Sequence, residues 1–278
     1  MRFMILLCLV FGFMLIVTNF ILPSDASINL ASRGDVLLKK NYHKTIGIIG
    51  GADPAASCLL YKKIIEKCLN RFDCKHGEDF PEIMIVNYPF GRLDDITDAE
   101  KNKTQLCAQL QYSIDKLNKY PVSIFAIACN TLHTFLNDIN FHELKLVHIA
   151  KETLAEAQRR GCSKLLVLAT QTTIKKDLYK QVPFEIISPN EQDQVLLNQI
   201  IDRVEQNKIL EQDAKQLISL INDINKQAAF EGVVLGCTEL SVLYEAYPEY
   251  FSENSLKIAI LDTTSILAQS LVSEAFKI

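Results

Sequence analysis

The chain has 278 residues, of which 49% are hydrophobic and 22% charged, with a formal net charge of −4. This composition is typical of a globular protein of enzyme size, and it excludes a disordered chain, a collagen-like repeat and a small disulfide scaffold. Because 29 basic residues stand against 33 acidic ones, there is no basic surplus that would release counterions from a nucleic acid, so nucleic-acid binding is not expected.

Residues 1–26 are predicted to be a signal peptide. Arg2 precedes an almost unbroken apolar stretch, Phe3 to Leu22, and Ser24 and Ala26 then supply the small residues that signal peptidase accepts. Cleavage after Ala26 would release the protein into the periplasm or the medium. The stretch is also long enough to cross a bilayer, so an uncleaved membrane anchor is the alternative, and this segment is the only membrane contact that the sequence suggests.

After a polar linker at residues 27–43, short apolar runs rich in β-branched residues alternate with longer segments of helical periodicity. This alternation predicts an α/β fold in which parallel sheets are covered by helices. The predicted strands are Thr45–Ile49, Ile83–Val86, Val122–Ala128, Leu146–Ile149, Leu165–Leu168, Phe184–Ile187, Val233–Leu235 and Lys257–Leu261. The predicted helices are Ala55–Leu69, Lys101–Lys119, Ala150–Arg160, Gln192–Val204 and Glu211–Ala229. Ligands of such sheets bind beyond the carboxyl ends of the strands.

Two of these strands end in a similar way, which forms a weak internal repeat. Val122–Ala128 leads into Cys129, Asn130 and Thr131, and the later strand leads through a glycine into Cys237 and Thr238. The repeat suggests two similar lobes, each a parallel sheet flanked by helices, with one thiol at the mouth of each sheet.

A cysteine between a buried strand and a helix lies where backbone N–H groups and the helix N-terminus stabilise a thiolate, so we expect lowered thiol pKa values. For either cysteine alone, a small buried hydrophobe is the alternative. Two thiols that face one cleft can exchange a proton with opposite faces of a single carbon. The spacing of the cysteines lacks a metal-binding pattern, and five of them are interpreted as buried inert thiols: Cys58, Cys68, Cys74, Cys107 and Cys162.

Several motifs together resemble the aspartate/glutamate racemase superfamily, in particular its aspartate-racemase branch. The resemblance spans residues 44–275 and rests on these segments: Thr45–Gly51, Ala128–His133, Ala169–Thr173 with Tyr179, Pro189–Asp193, Leu235–Leu240 and Leu261–Thr264. It implies an amino-acid racemase that needs neither metal nor cofactor such as pyridoxal phosphate, with Cys129 and Cys237 as its two acid/base residues. It also implies a first lobe at 44–146 with a return of 250–278, a second lobe at 147–249, and an active site in the cleft between them. A homodimer and a small amino-acid substrate are expected.

The resemblance also implies roles for other residues of the site. Groups that would hold the α-carboxylate and α-amino group of the substrate are Gly51, Asn130, Thr131, Thr173 and Thr238. Arg92 is a candidate for binding a side-chain carboxylate bidentately, which favours aspartate or glutamate, although a solvated loop arginine is the alternative. Glu239 is either a group that supports Cys237 or a plain carboxylate at a helix start.

Two departures from the family pattern bear on this interpretation. Asp53 places a carboxylate where the family has bare glycine backbone, and Glu205 stands where aspartate racemases often have a lysine. The second departure leaves strict aspartate preference open. Rival interpretations are another enzyme of the superfamily, such as a hydantoin racemase or a maleate isomerase, and a periplasmic small-molecule binding protein, which has two α/β lobes but no need of paired thiols.

Overall fold

Two parallel four-stranded sheets organise the computed structural model, which describes residues 43–91, 101–252 and 258–277. The first sheet has the order β2-β1-β3-β4 and the second the order β6-β5-β7-β8. Every strand pair is parallel. The bounds are β1 Ile46–Gly50, β2 Ile83–Asn87, β3 Ile124–Ile127, β4 Lys145–Leu146, β5 Lys164–Leu168, β6 Glu185–Ile187, β7 Gly232–Leu235 and β8 Ala259–Asp262. The predicted α/β fold of two similar lobes is thus confirmed, because the sheets repeat one strand order.

Helices cover both faces of each sheet, and this explains why central strands such as β3 and β7 are apolar throughout. The bounds of the helices are α1 Pro54–Phe72, α2 Lys103–Leu117, α3 Ile149–Arg159, α4 Gln171–Lys175, α5 Glu191–Glu205, α6 Glu211–Gln227, α7 Thr238–Ala246 and α8 Thr263–Ala275. Short 3₁₀ helices occupy Gly77–Asp79, Thr131–Asp138 and Pro248–Phe251. The sequence predicted a helix after each repeated cysteine. Cys237 does precede an α-helix, α7, but Cys129 is followed by the 3₁₀ helix.

The C-terminal part of the chain joins the two lobes. Strand β8 pairs with β7 in the second sheet, whereas the apolar residues of α8 pack into the core of the first sheet with Ile46 and Ile48. The prediction assigned all of 250–278 to the first lobe. It is wrong for β8, which belongs to the second lobe. Its backbone completes the ladder of the second sheet, so the return to the first lobe begins at Thr263.

The predicted signal peptide, most of the linker that follows it and Arg92 lie outside the described residues. Within the described ranges, none of the helices combines the length and the apolar character that a membrane span requires.

Candidate active site

Cys129 and Cys237 stand at equivalent places in the two sheets, each just beyond the carboxyl end of a central strand. Both side chains are buried, with 8% and 5% of their surface exposed. They line one cavity together with Ala52, Gly91, Asn130, Thr131, Thr170, Ile201, Glu205, Thr238 and Glu239. The cavity therefore brings together six of the predicted site residues: Cys129, Asn130, Thr131, Cys237, Thr238 and Glu239.

The cavity is narrow, with a volume of about 30 Å³. About 10–15 Å³ of such accessible space holds one water molecule, so the cavity has room for roughly two or three waters and is too small for an amino acid. Substrate entry therefore requires the two sides of the cleft to move apart, or side chains in its wall to turn aside.

Gly51 shapes the turn that follows β1. Its φ is +99°, and a Cβ on this residue would lie 2.1 Å from the backbone oxygen of Tyr88. Only glycine tolerates both the positive φ and this close approach. The Gly51 N–H donates to Oγ of Ser57 at 3.0 Å, and the next residue, Ala52, lines the cavity instead of Gly51.

Asp53, the first departure from the family pattern, caps helix α1. Its carboxylate accepts hydrogen bonds from the backbone N–H groups of Ala55, at 2.9 Å, and Ala56, at 3.2 Å. Such a cap satisfies donors that the first helical turn leaves unpaired. Burial raises the pKa of Asp53, and its negative charge contributes to raising the pKa values of Cys129 and Glu239.

Asn130 is held from two sides behind Cys129. Its Oδ1 accepts a short hydrogen bond from the phenol of Tyr179, and its Nδ2 donates to Oγ1 of Thr263 at 3.3 Å. Burial raises the pKa of Tyr179, so the phenol keeps its proton. Because an amide nitrogen carries two hydrogens, Asn130 retains one donor for a ligand in the cavity. Tyr179 belongs to a motif of the sequence, but the local pattern gave no sign that it reaches Asn130.

Three threonine hydroxyls meet at one side of the cavity. Oγ1 of Thr131 lies 3.0 Å from Oγ1 of Thr170 and 3.1 Å from that of Thr173. Thr170 caps α4 and lines the cavity, whereas Thr173 stands behind Thr131 and is not part of the wall. The sequence analysis named Thr173 and left out Thr170. The Ser/Thr preference for N-cap positions was the signal that could have pointed to it.

Glu239 is paired with Cys237. The thiol donates to Oε2 of Glu239 at 2.7 Å, and the Thr238 hydroxyl donates to the same oxygen at 3.3 Å. Burial raises the pKa of Glu239 to about 7. Burial and then the charge of Glu239 raise the pKa of Cys237 well above its usual value.

Burial likewise raises the pKa of Cys129 to about 12, with a further contribution from the charge of Glu239. Backbone N–H groups of Thr131 and Leu132 act in the opposite direction but are outweighed. The expectation of lowered thiol pKa values is therefore wrong for both cysteines. The strand-end position supplies the donors, but the loss of water and the nearby carboxylate dominate.

His133 serves the backbone around Cys129. Its Nδ1 lies 2.7 Å from the carbonyl oxygen of Cys129, and its Nε2 accepts from the N–H of Ile149 at 3.4 Å. Burial lowers the pKa of His133 to about 3, which keeps the ring neutral. Both ring nitrogens are thus occupied by backbone groups.

Helix α5 contributes Ile201 and Glu205 to the wall of the cavity. Glu205 thus places a carboxylate beside the site, and its charge contributes to the raised pKa of Glu239. Gly91 also lines the cavity, but its neighbour Arg92 cannot be placed because it lies outside the described residues.

The other cysteines of the described ranges do not line this cavity. Cys68, Cys74 and Cys162 are buried as predicted, whereas Cys107 is only half-buried and Cys58 is exposed on α1. Among the described residues, no group of three His, Cys, Asp or Glu side chains is arranged to hold a metal ion. Independence from metals stays a prediction.

Solved structures of racemases share this fold. An aspartate racemase from Picrophilus torridus is 21% identical with a TM-score of 0.69, covering 84% of this chain and 94% of its own. An aspartate racemase homologue from Pyrococcus horikoshii OT3 is 26% identical with a TM-score of 0.66, covering 84% and 100%. The chain thus has the two-lobed α/β fold of these racemases.

Sequence comparisons identify the family. The model for the Asp/Glu/hydantoin racemase family matches residues 49–271, and the chain belongs to that family. A broad-specificity amino-acid racemase from Bacillus subtilis (strain 168) is 26% identical over 235 residues, which cover 82% of this chain and 96% of the relative. The protein is therefore an isomerase of the amino-acid racemase class.

Proposed function

We propose that the protein racemises aspartate or glutamate by a two-base mechanism in which Cys129 and Cys237 act on opposite faces of the α-carbon. One cysteine, as thiolate, takes the α-proton, and the other, as thiol, delivers its proton to the opposite face. The observation that carries the proposal is the placement of both thiols on one cavity at equivalent strand ends.

Without an electron sink, removal of an α-proton requires electrostatic stabilisation of the carbanion-like transition state. The free hydrogen of Asn130 is one donor for the α-carboxylate. The wall hydroxyls of Thr131, Thr170 and Thr238 become donors when they turn from their present partners. We expect these groups to hold the carboxylate while charge builds up on it.

The raised thiol pKa values must fall when substrate binds, because a thiolate is the proton acceptor. The α-ammonium group of an amino acid brings a positive charge into the cavity, and a nearby positive charge favours the ionised form of a thiol. Glu239 acts in a different way: its carboxylate accepts the hydrogen bond of the Cys237 thiol and is placed to take the thiol proton.

The acidic substrate class rests on Arg92, as a bidentate partner for a second carboxylate. Glu205 disfavours an acidic substrate, because its carboxylate beside the cavity repels an acidic side chain. A specificity broader than aspartate alone is consistent with both residues. The similarity to a broad-specificity racemase supports this as well.

The experiment is incubation of the purified protein with a panel of L-amino acids in deuterated water, with α-proton exchange followed by NMR. Aspartate or glutamate should exchange faster than alanine, lysine or serine. A hydantoin and maleate in the same panel distinguish the related reactions of the superfamily. A C129S/C237S double variant is the blank. Exchange with no amino acid would overturn the function, and preference for a neutral or basic one would overturn the substrate class.

We also propose that the enzyme is exported and acts without metal or pyridoxal phosphate as a homodimer. The basic start, apolar stretch and small residues of the N-terminal sequence support export. N-terminal sequencing of protein from the periplasm or medium should give Ser27 as the first residue. Full-length protein in the membrane would favour the anchor instead.

The other two proposals have their own tests. Light scattering should give the mass of a homodimer. If the enzyme needs no metal, its racemisation rate should be unchanged after treatment with a chelator.

A further inference from the structure

A second and larger cavity shares no residue with the catalytic one. Its volume is about 390 Å³, within the range of about 300–1,000 Å³ that is common for small-molecule sites. Its wall is formed by α1, β4, α3 and α8. Six basic residues line it: Lys67, Arg71, Lys145, Arg159, Arg160 and Lys277. Three acidic residues do so as well: Glu152, Glu156 and Glu274.

The acidic residues are engaged within the wall. Glu274 pairs with Lys145 at 2.7 Å and also with Lys277, and these contacts lower the pKa of Glu274 to about 2. Glu156 pairs with Arg159 at the end of its own helix and with Arg160 directly after it. Glu152 accepts a hydrogen bond from the Ser270 hydroxyl at 2.8 Å.

Lys67 and Arg71 differ from the other basic residues of the wall. Neither makes an ion pair within the part of the chain that the structure describes. They are four residues apart in the last turns of α1, so both point to the same side of the helix, and like charges at this spacing destabilise a helix. Lys67 is half-buried, and burial together with the charge of Arg71 lowers its pKa.

An anion between Lys67 and Arg71 would remove this repulsion. The wall also offers hydroxyl donors on α8, Ser265 and Ser273, which line the same cavity. The Ser273 oxygen already accepts a hydrogen bond from Gln269 at 2.9 Å, so its own hydrogen is available to a ligand.

We propose that this cavity binds a small molecule with two or more negatively charged oxyanion groups, such as a diphosphate or a tricarboxylate. Lys67 and Arg71 are its principal partners. A single monovalent anion would leave one of the two cations unbalanced, so the site should favour multiply charged ligands. The proposal concerns binding at a place separate from the catalytic cavity, and it does not depend on which amino acid the enzyme racemises.

The test uses isothermal titration calorimetry and thermal unfolding of the full chain with pyrophosphate, citrate and inorganic phosphate, at an ionic strength held constant with sodium chloride. Pyrophosphate or citrate should bind saturably and raise the unfolding temperature, and phosphate should bind more weakly. Comparison of pyrophosphate with citrate separates a phosphate ligand from a carboxylate ligand.

The K67Q/R71Q double variant should lose affinity for the preferred probe by about tenfold or more, the effect of losing two charge-assisted contacts. It should unfold at a temperature no lower than that of the unmodified protein, because it removes a repulsion. If the double variant does not fold, the single variant R71Q replaces it in the binding measurement, because the Arg71 side chain is exposed. R71Q should also bind the preferred probe more weakly than the unmodified protein. K226Q is the control, since Lys226 pairs with Asp223 on α6 outside this cavity.

Absence of saturable binding by both pyrophosphate and citrate would overturn the proposal. Equal loss of affinity in K226Q would do so as well, because it would indicate general charge attraction. The C237S variant should keep full affinity, and a loss there would place the ligand in the catalytic cavity instead.

Discussion

The Cys237 thiol donates a hydrogen bond to Oε2 of Glu239 across 2.7 Å. Burial moves the pKa of Glu239 upward from its ordinary 4.5 to about 7, which makes this carboxylate a stronger base than an ordinary one. It is placed to take the thiol proton once the α-ammonium group of a substrate lowers the pKa of Cys237. Glu239 is thus a positioning and proton-accepting partner of Cys237 in the proposed mechanism.

The first prediction concerns the pH dependence of the rate. The unmodified enzyme should gain activity as the pH rises through about 7, because only ionised Glu239 accepts the thiol proton. The E239Q variant should lose this rise and about 10²-fold in kcat/KM, within the usual range for acid–base groups. Initial rates from pH 5 to 9 measure both. A variant that keeps the same rise would show that another group causes it.

The second prediction concerns stability. The pKa of Glu239 is higher in the folded protein than in the unfolded chain, so its contribution to stability is complete below about pH 4.5 and is lost as the pH rises through about 7. The loss amounts to about 3 kcal/mol. E239Q cannot ionise, so its free energy of unfolding relative to the unmodified protein should be higher at pH 8 than at pH 5. The control is E249Q, at an exposed position, and urea unfolding at both pH values is the measurement. A difference that does not change with pH would contradict it.

The sequence predicted the strands well, because a strand is encoded by residues that are close together in the chain. Each of the eight predicted apolar runs overlaps a strand, because β-branched runs between polar turns are a local signal. The position of Cys129 and Cys237 at strand ends followed from those runs. Helix α8 escaped prediction because its polar positions are mostly Ser and Gln, with Glu274 as the one charged residue, so the contrast between its two faces is weak.

Long-range contacts were beyond the sequence pattern. Tyr179 meets Asn130 only because two different lobes face each other. The thiol pKa values depend on how much water the closed cleft excludes and on carboxylates from other elements, and these are tertiary properties. Strand-end position alone therefore predicted the wrong direction for both cysteines.

The third prediction concerns Tyr179. Y179F leaves Oδ1 of Asn130 without its donor, and an unsatisfied buried acceptor costs about 1–3 kcal/mol. We expect kcat to fall about tenfold, because the Asn130 amide is free to rotate away from the substrate. The matched control is Y247F, which removes the hydroxyl that donates to the Ile209 carbonyl at 3.3 Å, outside the cavity. It should lose stability without losing rate. Equal rate losses in both variants would argue against positioning by Tyr179.

The fourth prediction separates two reasons for glycine at position 51. G51A combines a positive φ with a Cβ 2.1 Å from the Tyr88 oxygen, whereas G161A has a φ of +74° and no atom within 4 Å of its Cβ. G161A should cost about 1–2 kcal/mol, the price of the left-handed conformation alone. G51A should cost more than about 3 kcal/mol, because the turn after β1 must move. Urea unfolding measures both. Equal losses would show that the contact with Tyr88 relaxes at no cost.

The fifth prediction follows from the placement of Cys129 and Cys237 on one cavity, one from each lobe. In a two-base racemase each cysteine is the acceptor for one enantiomer and the donor for the other. A serine hydroxyl is too weak an acid to replace a thiol in either role. C129S and C237S should therefore each lose about 10²- to 10⁴-fold of racemisation in both directions, measured by polarimetry. C162S is the control, since Cys162 is buried but does not line the cavity.

Removal of the α-proton should not fail equally for the two enantiomers, because the surviving thiolate still faces one of them. In deuterated water, each single variant should retain more exchange, or more elimination from a substrate with a good β-leaving group, with one enantiomer than with the other. The preferred enantiomer should switch between C129S and C237S. A single variant with near-normal racemisation would rule out the two-thiol mechanism. Two variants with the same preference would place both cysteines on one face of the α-carbon.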